Sequence, residues 1–144
     1  MVIVALTILT SASAVYAATL YQRTINGGIH VNTTGSLQVY NMDETNCTYL
    51  NFGSINPGDR SNLNVTVANT SNSPIWLKVD NSISLIDGFA VRIRFANSTL
   101  LPTFTYMNAG SSLQVWIIVT TYSYCRAGDY TFTVTFTGCS TSTG

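Results

Sequence analysis

Hydrophobic and polar residues alternate along most of this chain with the two-residue period of half-buried strands. The clearest run is Tyr130 to Thr137, where Tyr130, Phe132, Val134 and Phe136 share one face and threonines occupy the other. Shorter runs of the same kind lie at Leu37–Tyr40, Thr48–Phe52, Leu63–Val67, Ile75–Val79, Phe89–Phe95 and Leu113–Val119. Turn chemistry separates them: Thr34-Gly35, Asn56-Pro57-Gly58-Asp59, and the polar stretch from Asn69 to Pro74. No helical period is sustained after Tyr21, so the pattern predicts an all-β antiparallel sandwich over residues 35–144.

Ahead of it, Met1 to Ala17 carries an apolar run followed by small residues, and Val15-Tyr16-Ala17 suits removal of a secretory leader. No Lys or Arg precedes the run, which keeps open a retained hydrophobic helix of the type IV pilin kind, since Met1 to Tyr21 is long enough to span a bilayer. Residues 18–34 then form a mixed arm broken at Gly27-Gly28.

The last strand poses a problem for a closed sandwich. A Gly128-Asp129 turn followed by Tyr130 is similar to the tyrosine corner that opens strand F of immunoglobulin-like sandwiches, and only Cys139 to Gly144 follow the strand. The expectation is an immunoglobulin- or jelly-roll-like sandwich one strand short, with a groove lined by Val115, Ile117, Phe132, Val134 and Phe136. The arm of a neighbouring subunit is expected to fill it as a donor strand, through Thr19, Leu20, Tyr21, Ile25, Ile29 and Val31. The chain's partner would then be itself.

Composition fits an assembling protein. Of 144 residues, six are Lys or Arg and six are Asp or Glu, for a net charge of +0. Charged residues make up 8% of the chain, against roughly 25% in ordinary soluble proteins, so repulsion between copies is weak. This balance also argues against nucleic acid, which requires clustered cations. Trp76, Trp116 and Ile118 fall on nominally solvent-facing positions, as contact residues of an assembly would.

Three cysteines predict one bridge and one thiol in a secreted chain. Cys125 and Cys139 bracket the last strand and lie too far apart to pair; in an immunoglobulin-like topology the strand that Cys47 opens starts at the pole where strand F ends, so Cys47–Cys139 is the expected bridge, with three free thiols as the alternative. Asn-X-Ser/Thr triplets at Asn32, Asn46, Asn64, Asn69 and Asn97 are candidate glycosylation sites.

Catalytic chemistry finds no support. The single histidine, His30, rules out a multi-histidine zinc site, the carboxylates are dispersed apart from Asp43-Glu44, and no Gly-x-Ser-x-Gly turn or phosphate-cradling glycine loop occurs. The reading is a protein without catalytic residues, cofactor, metal or small-molecule substrate, touching a membrane only during secretion.

Gly35-Ser36-Leu37-Gln38-Val39, then Ile55-Asn56-Pro57-Gly58-Asp59, then Val65 to Ile75 occur in an order that resembles the TasA/camelysin family of secreted biofilm fibre proteins. The matching motifs cover about residues 15 to 80. The resemblance implies a jelly-roll-like sandwich that polymerises by donor-strand exchange into an extracellular filament, and the low charge is similar to an archaeal, pilus-forming relative.

Overall fold

A computed structural model describes residues 25–81, 88–97 and 99–142. The leader (1–17) and the arm residues Thr19, Leu20 and Tyr21 lie outside the described residues. The rest is all-β, in nine strands: β1 (Ile25–Thr34), β2 (Leu37–Tyr40), β3 (Tyr49–Ile55), β4 (Arg60–Asn69), β5 (Ile75–Asn81), β6 (Phe89–Phe95), β7 (Phe104–Met107), β8 (Ser112–Thr121) and β9 (Gly128–Cys139). They form two facing sheets, ordered β3-β1-β9-β5-β7 and β2-β4-β8-β6. Every run read from the alternating pattern is a strand; β1 and β7 are added to that set.

The core between the sheets follows from the alternation. In the four-stranded sheet Val65, Val67, Val115, Ile117, Val119 and Phe89 point inward and are buried. Val65 stands directly opposite Val115, and Leu63 opposite Ile117. Phe132, Val134 and Phe136 of β9 meet them from the other sheet. Packing β-branched and aromatic side chains across and between strands in this way stabilises the pair of sheets. Phe89 packs its ring 4.5 Å from Tyr130 and 4.9 Å from Phe132. Tyr130 closes the turn before β9 by donating its hydroxyl to the Arg126 carbonyl at 3.0 Å, which is the geometry of a tyrosine corner.

The expected open groove beside the last strand is absent from this chain. β9 is hydrogen-bonded on both edges, to β5 antiparallel and to β1 parallel, and the parallel ladder runs unbroken from Ile25↔Gly128 to Thr34↔Thr137. The slot assigned to a neighbour is filled in cis by residues 25–34, so these residues belong to the sandwich rather than to a separate arm. The reason is reach: β1 joins β2 through Gly35 and Ser36 alone, which sets β1 down beside the nearest unpaired strand edge, that of β9.

Gly27-Gly28, read as a break, lies inside β1. There β3 carries an extra residue, Phe52, because Gly27 pairs with Gly53 and Gly28 with Asn51. Gly53 takes a left-handed φ of 70° to accommodate the bulge. A methyl on Gly27 would lie 1.9 Å from the Tyr130 carbonyl oxygen and 2.9 Å from the Phe52 ring. Its absence lets Phe52 of β3 stack on Phe132 of β9 across the intervening strand, with centroids 6.2 Å apart. We expect Gly27→Ala to destabilise the chain by at least about 2 kcal/mol, since neither backbone nor ring can retreat without cost. A urea denaturation midpoint unchanged from wild type would contradict this packing.

Candidate functional site

The structural feature that invites a function is the strand slot between β3 and β9. Its occupant, β1, buries Ile25, Ile29 and Val31, each worth about 1.5–3 kcal/mol on removal from water. The slot is walled by Leu50 and Phe52 of β3 and by Phe132, Val134 and Phe136 of β9, all buried. Val115 and Ile117, expected in the same groove, are buried in the opposite sheet and form its floor. Ile29 registers with Phe132 and Val31 with Val134. Polar contacts on the outer face fix this register. Asn26 donates its amide to the Asp129 carboxylate at 3.3 Å and accepts from the Ser54 hydroxyl. His30 sits edge-on to Tyr49 at 5.1 Å, and the Val31 amide donates to the Thr48 carbonyl at 2.9 Å.

Sequence reasoning found the residues of β1 and β9 but missed Leu50 and Phe52. Their alternation was legible, yet which strand flanks a slot is set by sheet order rather than by periodicity.

The expected Cys47–Cys139 bridge is not formed in this structure, where the Cys47 and Cys139 thiols stand apart. Interposing β1 separates the two expected partners. The Thr48 carbonyl pairs with Val31, which registers with Val134, five positions short of Cys139. That offset is about 16 Å along the strand, where a bridge needs Cα atoms within about 7 Å. The side chains also point apart. Cys47 is buried in the core, whereas Cys139 lies on the outer face in phase with Thr133, Thr135 and Thr137. Burial raises the Cys47 thiol pKa above its ordinary value of 9.0. The sign follows: Cys47 favours folding fully below that pH, and this contribution is lost as pH rises through the raised value.

Of the candidate glycosylation sites, Asn32, Asn46, Asn64 and Asn97 are exposed. Asn69 is buried and differs from the outward position expected of it. Its amide donates to the Ser73 carbonyl at 2.9 Å and the Asn108 carbonyl at 3.0 Å, and its oxygen accepts from the Ser71 amide at 3.0 Å. One side chain thereby ties the β4–β5 turn to the β7–β8 turn, leaving no amide for a sugar.

Trp76 is half-buried against Tyr106, with centroids 5.3 Å apart. Trp116 and Ile118 are half-buried on the outer face of the four-stranded sheet, in a shallow groove shared with Arg60, Arg92 and Arg94. Among the described residues no group of three His, Cys, Asp or Glu could hold a metal ion, and no helix is long and apolar enough to cross a membrane.

No protein-family model matches this chain, and no curated protein matches it.

Asn69 offers a direct check on the turn assignment. Asn69→Leu should lower stability by about 2 kcal/mol, since the buried side chain gives up its part-buried bonds to the Ser73 and Asn108 carbonyls and to the Ser71 amide. The exposed Asn64→Gln should stay within about 0.5 kcal/mol of wild type. Chemical denaturation of both variants reads the difference, and equal midpoints would refute the bracing role.

Proposed function

We propose that the chain is the structural subunit of an extracellular filament, in which residues 25–34 of one copy occupy the slot between β3 and β9 of the next. The observation that carries this reading is the position of β1. The first described strand is an interior strand of its sheet, parallel to the last one, and only Gly35 and Ser36 join it to the remainder of the sandwich.

A strand placed this way is suited to exchange. In a neighbour's slot it would make the same ladder and bury the same Ile25, Ile29 and Val31. The free-energy difference between cis and trans then reduces to hinge opening and association entropy. Main-chain bonds on both edges supply affinity, and the buried side chains supply register. Because the donor strand and its acceptor slot are different surfaces, the contact is head-to-tail and propagates into an open filament. The TasA/camelysin resemblance implies the same mode of assembly. The leader read from Met1 to Ala17, the exposed Asn-X-Ser/Thr triplets and the low charge support secretion and self-association. No catalytic role enters this reading.

The test places cysteines at His30 and Thr133, register partners with side chains on the outer face, in a Cys139→Ser background. Assembled protein is treated with a short bismaleimide and run on a denaturing gel. Exchange in trans yields a ladder of covalent multimers; a monomer band alone would refute donor-strand assembly.

A further inference from the structure

Three of the chain's six cationic side chains stand on one sheet face, beside one of its two tryptophans. On the outer face of the four-stranded sheet, register sets Asn62, Ile118 and Arg92 in one row, and Asn64, Trp116 and Arg94 in the next. Arg60 stands opposite Thr120, one pair further along. Arg92 and Arg94 lie two residues apart on one strand, about 7 Å. Arg60 lies two strands away and is offset along them, about 12 Å from Arg92 and about 16 Å from Arg94. The groove between them has a volume of about 270 Å³. Arg60 and Arg92 are exposed, and Arg94 and Trp116 half-buried.

No residue that points outward on β4, β8 or β6 is acidic; Glu44 lines a separate hollow further along the same face. In a chain of zero net charge this segregates positive charge onto a surface that the sandwich core does not use.

We propose that this groove binds an anionic polysaccharide, of uronate or sulfated type. The exposed guanidinium groups of Arg60 and Arg92 each offer a planar fork matched to a carboxylate or sulfate, and Arg94 adds its charge beside them. The indole offers an apolar face for the C–H side of a sugar ring, while Asn62, Asn64 and Thr120 supply hydrogen bonds to its hydroxyls. Charge complementarity selects a polyanion, and the make-up of the groove selects a glycan over a nucleic acid. Nucleic-acid affinity grows with the number of phosphates neutralised, commonly about six to ten, and stacking of successive bases needs several aromatic platforms. Three arginines and one indole meet neither requirement. The groove is complete on one copy, so binding does not depend on filament formation.

The experiment titrates the folded full chain with a polygalacturonate oligosaccharide by calorimetry at low salt. Neutral dextran and a single-stranded DNA of equal charge serve as comparators. The expected result is binding of the polyuronate but not of dextran, weakened as salt screens the arginines. Affinity should fall at least tenfold in Arg92→Gln/Arg94→Gln and again in Trp116→Ala. The arginine variant alters outward-facing positions and keeps the test valid should the tryptophan variant fold poorly. Absence of polyuronate binding, equal binding by the arginine variant, or tighter binding of DNA would each overturn the proposal. So would sedimentation showing that this face is covered by a second copy. A chain that binds polyuronate without polymerising would refute the filament reading and leave this one standing.

Discussion

Every amide and carbonyl of a strand buried within a sheet must be paired, and β9 lies at the centre of this sandwich with two edges to satisfy. β5 supplies one and β1 the other. The parallel β1–β9 ladder is therefore the interaction on which the rest depends. Removing β1 would strip β9 of one partner and β3 of its only ladder among the described residues, and would expose Phe52, Phe132 and Val134 to water. Gly27 is required because this ladder draws the two backbones together. The Phe52–Phe132 stack then closes over the glycine and locks β3 and β9 about the strand between them.

The same constraint ties fold to function. A strand that completes its own sheet from the chain's N-terminal side, through a two-residue link, can complete another copy's sheet with the same contacts. The low charge of the chain leaves little electrostatic resistance to such association. The proposed assembly through the slot and the proposed glycan capture through the outer face of the second sheet would use opposite layers of the molecule, so neither would block the other.

Much of this was legible in the sequence, because alternation is a local property. The run from Tyr130 to Thr137 could only be a half-buried strand, and the Tyr130 hydroxyl meets a carbonyl four residues back as the Gly-Asp-Tyr order implies. Ile25, Ile29 and Val31 were recognisable as the residues that fill the groove. What local pattern could not carry was connectivity. Whether β1 enters its own slot or a neighbour's depends on hinge length and concentration. The Cys47–Cys139 pairing assumed an immunoglobulin-like strand order, whereas β1 stands between β9, which carries Cys139, and β3, which Cys47 precedes. Asn69 read as an outward turn residue, yet its hydrogen bonds to Ser73 and Asn108 draw it inward, and nothing in an Asn-X-Ser triplet announces such partners. Glycines 27 and 28 read as a boundary since isolated sequence cannot distinguish a chain break from close strand approach.

The most direct measurement is a cryo-electron-microscopy map of the assembled protein at a resolution that traces the main chain through Gly35 and Ser36. The account requires density leading from β2 of one subunit, across the subunit boundary, into the strand paired parallel to β9 of the next. Density that turns back from Gly35 into the slot of its own subunit would contradict it.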